Sequence, residues 1–138
     1  MSDELSNVIV SVIIPVHNAA EYIAETLTAV LAQSLKEIEI ILVNDNSTDN
    51  TLDIVTKIAS EDSRVRVITN PSNVGGGESR NIGLRIATGE YIIFLDDDDY
   101  ADKEMLKRMS DRATALQTDV VICRCQSVDL QTNTRSPM

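Results

Sequence analysis

The sequence predicts an α/β fold in which helices flank a mostly parallel β-sheet. Short apolar runs rich in Val and Ile alternate with segments whose apolar residues recur at helical spacing, a pattern typical of successive β-α units. The chain has 138 residues, of which 43% are apolar, and this size and composition fit one compact domain. We assign residues 1–126 to that domain and residues 127–138 to a polar, structureless C-terminal tail or a truncation point.

The first half of the chain begins with a predicted strand over residues 8–15, an almost unbroken apolar run that ends at Pro15. A helix is predicted over 20–34 because its apolar side chains recur every three or four residues. The apolar run over 38–43 predicts a second strand, and 51–60 predicts a second helix. The inward-facing residues of the two helices are Ile23, Leu27, Val30, Leu31, Leu52, Val55 and Ala59.

The second half continues the alternation. Strands are predicted over residues 65–69, 91–95 and 120–125, where short apolar runs occur, and helices over 79–88 and 103–117, where helical spacing returns. The last helix carries apolar residues at core spacing, and the fifth strand carries both cysteines, which we expect to be reduced and buried. These residues are Met105, Met109, Ala113, Leu116, Cys123 and Cys125.

The chain is strongly acidic, with a formal net charge of −10 and a pI of about 4.4. Nucleic acid and anionic lipid surfaces repel such a protein, so neither is an expected partner. The acidic start lacks the basic region of a secretory signal, and no apolar run approaches the ~18 residues that span a bilayer. We therefore expect a cytoplasmic protein, which binds an anionic ligand only where a metal ion or backbone N–H groups reverse the local field.

Right-handed crossovers bring the loops that follow the first four strands to one edge of the sheet. In open α/β sheets, ligands bind in the crevice at the carboxyl ends of the strands. The loops predicted there contain the most unusual polar residues of the sequence, in segments 15–18, 44–47, 70–77 and 96–99. A binding site is therefore predicted at this edge.

Four consecutive aspartates, Asp96 to Asp99, follow the fourth strand. Two carboxylates about 4 Å apart repel by about 1 kcal/mol even in water, so these four need either solvent or a cation. Mg²⁺ and Mn²⁺ prefer oxygen ligands, usually one or two carboxylates together with phosphate oxygens. If the segment is extended, Asp96 and Asp98 share one side, and Asp97 and Asp99 share the other. The run alone fits either a metal site or a solvated lead into the next helix, and its place at a strand end favours the metal.

The remaining candidates each have a structural alternative. Asp45 follows a buried strand, where a carboxylate can accept a bond from a nucleobase or a ribose, yet it also lies among turn residues. The glycine-rich segment 75–83 can bring backbone N–H groups close to phosphates, and Arg80 adds charge there unless it is only a salt-bridge partner. His17, after Pro15, is either a ligand contact or an ordinary loop histidine. The glycine segment matches neither the dinucleotide-binding nor the P-loop pattern, which argues against both classes of protein.

Four blocks of sequence carry a resemblance to a known family. They are residues 10–18 (VSVIIPVHN), 40–49 (IILVNDNSTD), 79–83 (SRNIG) and 89–99 (GEYIIFLDDDD). In this order and spacing they resemble the nucleotide-sugar-binding half of family 2 glycosyltransferases, which have the Rossmann-like GT-A fold. The resemblance covers about residues 8–110.

The resemblance implies an inverting transfer of a sugar from a nucleotide diphosphate sugar, with a UDP-sugar expected first, to a glycan or lipid-linked acceptor. It implies that Asp45 bonds the base, and that Asp96 and Asp98 are the first and last acids of the family's D-x-D motif. Asp98 then binds the Mg²⁺ or Mn²⁺ ion that bridges the diphosphate, and Asp96 faces the ribose and the metal. The implied donor-binding residues are Pro15, His17, Asn18, Asp45, Arg80, Asp96 and Asp97, and the implied metal ligands are Asp98 and Asp96.

Three positions depart from the usual family pattern. His17 stands where an aromatic residue is usual, Asn44 where an acid is usual, and Asn46 where glycine is usual. The first departure weakens stacking on a base, and the other two leave Asp45 intact. We expect these three departures to be variation within the family and not a loss of function.

The general base of the family lies in its later, acceptor-binding half, which this chain does not match. We therefore expect the donor-binding part of a longer enzyme, with any membrane association provided by other segments. A non-catalytic nucleotide-binding or interaction module is the alternative. A metal-dependent phosphotransfer domain is a second alternative, and it needs an aspartate nucleophile after the first strand. This sequence has residues 15–18 (PVHN) at that place, which argues against such a domain.

Overall fold

The structure, a computed structural model, describes residues 7–137. Four helices alternate with four strands, and the strands form one parallel sheet in the order third, second, first, fourth. This arrangement confirms the predicted α/β fold. The strands are β1 (Val10–Val16), β2 (Ile38–Asn44), β3 (Val65–Thr69) and β4 (Tyr91–Phe94), and the helices are α1 (Ile23–Leu31), α2 (Thr51–Glu61), α3 (Gly76–Ile86) and α4 (Met105–Leu116).

The central strands β1 and β2 are apolar on both faces because helices cover both faces of the sheet. Val12 and Ile14 of β1 belong to the larger core, which contains residues of α1, α2 and α4. Ile13 points to the opposite face and packs with Ile41 and Val43 against α3. This two-sided burial explains why the strands read as continuous apolar runs rather than as alternating ones. The helical residues of the larger core include Ile23, Leu27, Val30, Val55 and Leu106.

A buried polar cluster joins the strands at their amino ends. One oxygen of Glu39 accepts hydrogen bonds from the Ser11 hydroxyl (2.6 Å) and from the Thr88 backbone N–H (2.6 Å) and hydroxyl (3.0 Å). Burial alone would raise the pKa of Glu39, but these hydrogen bonds and the Arg66 guanidinium outweigh it and lower the pKa. The cluster therefore holds a charged carboxylate at the edge of the sheet opposite the predicted site.

The helices differ from prediction in detail: α1 spans Ile23–Leu31 and is three residues shorter at each end than the predicted 20–34. α3 begins at Gly76, three residues before the predicted start, so two of the three consecutive glycines are helical. Leu116 at the end of α4, expected in the core, is 58% exposed, because the segment that follows does not pair with the sheet and leaves this end uncovered. Among residues 7–137, no helix is long and apolar enough to cross a bilayer.

The predicted fifth strand over residues 120–125 is wrong. The segment has no strand partner among the described residues, and Val120 and Ile122 are 71% and 89% exposed. Cys123 and Cys125, expected in the core, are exposed as well. An apolar, β-branched run becomes a strand only where a neighbouring strand satisfies its backbone groups.

The predicted structureless tail over residues 127–138 is also wrong for the part that the structure describes. An antiparallel hairpin forms there from β5 (Gln126–Asp129) and β6 (Thr134–Pro137). In its turn, the Asp129 carboxylate accepts two backbone N–H bonds, and Asn133 adopts a left-handed conformation with φ 52°. Asp and Asn favour turns for these two reasons, so local turn chemistry explains the hairpin.

Replacing Gly89 by Ala should destabilise the fold. A Cβ at Gly89 would lie 2.6 Å from the backbone nitrogen of Ser11, and backbone yields less readily than a flexible side chain. We expect urea denaturation to show a loss of about 1–3 kcal/mol in the free energy of unfolding. Gly77→Ala is the control, because a Cβ there meets nothing within 4 Å and Ala is favoured over Gly in helices by roughly 0.5–1 kcal/mol. A Gly89→Ala variant as stable as wild type would contradict the close packing.

Candidate functional site

An open cleft of about 280 Å³ lies at the carboxyl ends of β1, β2 and β4, beside the start of α3. The loops meet there because all of these strands run in the same direction. Every predicted site residue except Asn18 lines the cleft. The lining residues are Pro15, Val16, His17, Asp45, Gly76, Arg80, Asp96, Asp97 and Asp98.

Asn18 lies beside the cleft and joins the β1–α1 loop to the β2–α2 loop. Its side-chain oxygen accepts a hydrogen bond from the Thr48 N–H (2.8 Å), and its backbone N–H donates to the Ser47 hydroxyl (3.0 Å). Asn18 and Asn46 adopt left-handed conformations with φ 48° and 55°, which Asn and Gly tolerate better than other residues. Asn46 thus meets the backbone requirement that glycine meets in the usual family pattern.

Asp45 is buried at the base of the cleft, with only 3% of its surface exposed. One carboxylate oxygen accepts bonds from the Asn70 side-chain amide (2.9 Å) and the Val74 N–H (2.8 Å), and the other from the Gly75 N–H (2.8 Å). Burial alone would raise the pKa of Asp45, but these three hydrogen bonds outweigh it and lower the pKa. The carboxylate is therefore a charged anchor for the loop between β3 and α3.

Asn70 is a site residue that sequence reasoning missed. It is buried, and its amide nitrogen donates both to Asp45 and to the Ser79 hydroxyl (3.1 Å). From the sequence alone, Asn70 is predicted only to begin a turn that contains a proline. The signal that points to it is the need of a buried carboxylate for donors, combined with the position of Asn70 at the end of β3, on the same edge of the sheet.

His17 is held by its backbone contacts at the mouth of the cleft. Its Nδ1 lies 2.8 Å from the backbone oxygen of Asp45. Because a carbonyl oxygen only accepts, Nδ1 carries the proton in this contact, and Nε2 lies 3.4 Å from the side-chain amide nitrogens of Asn18 and Asn73. The backbone N–H of His17 donates to Asp97 (3.4 Å). His17 thus connects the Asp45 side of the cleft to the aspartate run.

Three of the four consecutive aspartates form a cluster. Asp96, Asp98 and Asp99 each offer a carboxylate oxygen, and these oxygens lie within 4.8 Å of one another. Asp99, which is not among the implied metal ligands, belongs to this cluster and also accepts a hydrogen bond from the Asp96 N–H (2.9 Å). Three exposed carboxylates are a donor set that Mg²⁺ and Mn²⁺ take. The residues present therefore fit a divalent ion.

Asp97 is half-buried and lies outside the three-carboxylate cluster. Its carboxylate accepts the His17 N–H, and its backbone oxygen accepts a bond from the Thr26 hydroxyl (2.7 Å). Burial raises the pKa of Asp97, and the neighbouring Asp98 and Asp96 carboxylates raise it further. Asp97 therefore fixes the loop on α1, while its neighbours face solvent.

Arg80 is the one arginine among the cleft-lining residues, which include no lysine. Its Nη2 lies 2.8 Å from Asp96 Oδ1, and both side chains are partly or largely exposed. Exposed ion pairs contribute only about 0–1 kcal/mol, so the guanidinium can exchange Asp96 for an anionic ligand at little cost. Gly76 lies directly beneath it, where a Cβ would be 3.4 Å from Arg80 Nη1.

The fold is that of a GT-A type glycosyltransferase domain. The sequence matches the profile described as "Glycosyl transferase family 2" over residues 11–138. The chain therefore belongs to glycosyltransferase family 2, as the four sequence blocks predict.

Individual relatives agree with this assignment. The uncharacterized glycosyltransferase EpsJ of Bacillus subtilis (strain 168) is 41% identical over 115 residues, which are 83% of this chain and 33% of EpsJ. The crystal structure of S. aureus TarS 1–349 in complex with UDP-GlcNAc has a TM-score of 0.73 at 37% identity, over 78% of this chain and 31% of that one.

A more distant structure binds a different donor. The mannosyltransferase PcManGT from Pyrobaculum calidifontis, in complex with GDP-Man and Mn²⁺, has a TM-score of 0.64 at 28% identity, over 68% of this chain and 29% of that one. The chain thus spans about a third of the length of these relatives. Together they confirm the predicted GT-A fold and the glycosyltransferase class.

Replacing Asp45 by Asn should lower stability in a pH-dependent way. The amide cannot accept at both positions, so we expect a loss of about 1–3 kcal/mol in the free energy of unfolding at pH 7. The folded-state pKa is lowered, so the carboxylate stabilises fully above its ordinary pKa of about 3.9 and loses this effect as the pH falls through the lower folded value.

Urea denaturation between pH 7 and pH 3 measures this dependence. The difference between Asp45→Asn and wild type should be constant at neutral pH and should narrow below about pH 4. Asp53→Asn, at an exposed position of α2, is the control and should change little at either pH. A difference that does not vary with pH would show that the charge of Asp45 is unimportant.

Proposed function

We propose that this chain is the donor-binding domain of an inverting, metal-dependent glycosyltransferase. Its donor is a nucleotide diphosphate sugar, with a UDP-sugar as the first candidate, and its acceptor is a hydroxyl of a glycan or a lipid-linked sugar. The observation that carries the proposal is one cleft that holds a buried nucleotide-side carboxylate, Asp45, and an exposed three-carboxylate cluster beside Arg80.

The base of the nucleotide is assigned to the side of the cleft formed by Asp45 and His17. Asp45 has both oxygens bonded within the protein and one acceptor position left. His17 lies on the same side at the mouth of the cleft, where its Nε2 is 3.4 Å from the side-chain amide nitrogens of Asn18 and Asn73. The remaining acceptor position of Asp45 suits an N–H or hydroxyl group of a nucleoside.

The diphosphate is assigned to the other side of the cleft. Asp98 and Asp96, with Asp99, would hold the Mg²⁺ or Mn²⁺ ion. A bound ion there would act as a Lewis acid that neutralises charge on the departing diphosphate. Arg80 can release Asp96 and pair with a phosphate oxygen, since arginine binds both groups through the same donors. The metal ion and the Arg80 guanidinium are both positive, which explains how a chain of net charge −10 binds an anionic donor.

Structural neighbours support this assignment. A TarS structure contains UDP-GlcNAc, and the PcManGT structure contains GDP-Man together with Mn²⁺. Because the two donors carry different bases, they support a nucleotide-sugar site more strongly than they support uridine. We propose UDP first because the TarS sequence is the more similar of the two.

The transfer step needs a base that deprotonates the acceptor hydroxyl. We propose that this base lies in an acceptor-binding part outside the present chain, which spans about a third of its relatives. Donor binding without transfer, in a protein that also contains that part, would favour a non-catalytic module instead. The cytoplasmic location stays a prediction from charge and composition.

Titration calorimetry with UDP and GDP, each with and without Mn²⁺, tests the proposal. We expect Mn²⁺ to raise the affinity for at least one diphosphate by about tenfold or more, which is about 1.4 kcal/mol. Asp98→Ala should remove this increase, because the increase depends on the carboxylate cluster. Asp53→Ala on the exposed face of α2 is the matched control and should keep it. A diphosphate affinity that does not change with Mn²⁺, or no binding of either diphosphate, would refute the site assignment.

A further inference from the structure

Hydrogen bonds and the first turn of α3 connect the two sides of the cleft. Asp45 Oδ2 accepts the N–H of Gly75 (2.8 Å), the residue that precedes α3. Arg80 lies on α3 one turn after its first residue, Gly76, and a Cβ at Gly76 would lie 3.4 Å from Arg80 Nη1. The Arg80 guanidinium pairs with Asp96 (2.8 Å). The helix whose start Asp45 holds is therefore the helix that carries Arg80.

We propose that Asp45 is a positioning residue that couples the nucleoside side of the cleft to its diphosphate side, by fixing the start of α3 and through it Arg80. The inference rests on the proposed donor-binding function and deepens it. It assigns Asp45 a role that differs from direct contact with the base, because the role exists before any ligand arrives.

The chemistry of the start of α3 favours such a role. The first N–H groups of a helix have no partner within the helix, and a carboxylate near them is stabilised by the helix dipole. Asp45 lies close to these groups, since one of its oxygens accepts the N–H of Gly75, the N-cap residue of α3, and the other accepts the N–H of Val74, which precedes it. Gly75 has φ 88°, a conformation that residues other than glycine rarely adopt. The chain therefore turns into α3 directly above the Asp45 carboxylate.

A second route joins the same residues. The Asn70 side-chain amide donates to Asp45 (2.9 Å) and to the hydroxyl of Ser79 (3.1 Å). Ser79 is fully buried on α3 and directly precedes Arg80. Through Asn70, Asp45 is thus linked to α3 a second time, one turn beyond the start of the helix.

The burial of Asp45 indicates that it contributes more to donor binding by positioning α3 than by direct contact with the base. Three protein donors already occupy the carboxylate, and 3% of the residue is exposed. A ligand can reach only the remaining acceptor position. Removal of one acceptor, in contrast, releases a loop and the first turn of α3 together.

A probe without a base separates the two roles. Inorganic pyrophosphate with Mn²⁺ engages only the diphosphate side, so its affinity should not depend on Asp45 if that residue acts on the base alone. We expect Asp45→Asn to weaken binding of this probe by about fivefold or more, alongside weaker UDP binding. Unchanged pyrophosphate affinity with weakened UDP binding would overturn the proposal.

Two measurements on the ligand-free protein complete the test. In Asp45→Asn, the Val74 and Gly75 amides should exchange with deuterium about tenfold faster or more, and the NMR signal of the Arg80 Nε–H should shift. Asn70→Ala keeps the carboxylate and should give smaller changes of the same kind, and it replaces Asp45→Asn if that variant does not fold. Asp53→Asn, the control, should change neither quantity.

The outcomes distinguish this inference from the function on which it rests. Failure of wild type to bind any diphosphate would refute the proposed function, while the exchange and Arg80 measurements would still decide the positioning role. Normal diphosphate binding with unchanged amide exchange and an unshifted Arg80 signal in both variants would refute the positioning role alone.

Discussion

Parallel pairing of β1 with β2 on one side and β4 on the other is the constraint on which the site depends. Val16 lies opposite Asn44, and Ile13 lies opposite Phe94, so the residues that follow all three strands emerge at one edge. The apolar core on both faces of β1 and β2 fixes this register, because a slip of one residue would exchange the two faces. Groups far apart in sequence are thereby held in one cleft.

The charged residues of the cleft fall into a buried group and an exposed group. Asp45 is buried and accepts three hydrogen bonds from the protein, and its pKa is lowered because these bonds outweigh burial. Asp96, Asp98 and Asp99 are exposed and close together, and Arg80 pairs with one of them. The buried charge organises a loop, whereas the exposed charges still have capacity for a cation. This division matches a ligand with a neutral nucleoside at one end and a metal-bound diphosphate at the other.

Residue patterns predicted most of this fold and the outline of its cleft. The continuous apolar runs were sufficient to predict the sheet because they indicate strands that are buried on both faces. The four sequence blocks were sufficient to predict the cleft because they contain the polar loops that line it. The strand over 120–125 was wrong because periodicity describes a residue run and says nothing about whether a partner strand lies beside it. Asn70 and Asp99 were missed as site residues because their roles depend on contacts that span loops, and the same residue types are common in ordinary turns.

Paramagnetic NMR with Mn²⁺ and UDP tests the central claim, that a metal-bound diphosphate lies between the aspartate cluster and Arg80. With a trace of Mn²⁺, adding UDP should sharply increase the broadening of backbone signals from residues 96–99 and from the start of α3. Signals from the Glu39 cluster at the opposite edge of the sheet should stay sharp. Broadening that UDP does not change, or that centres on acids outside the cleft, would contradict the account.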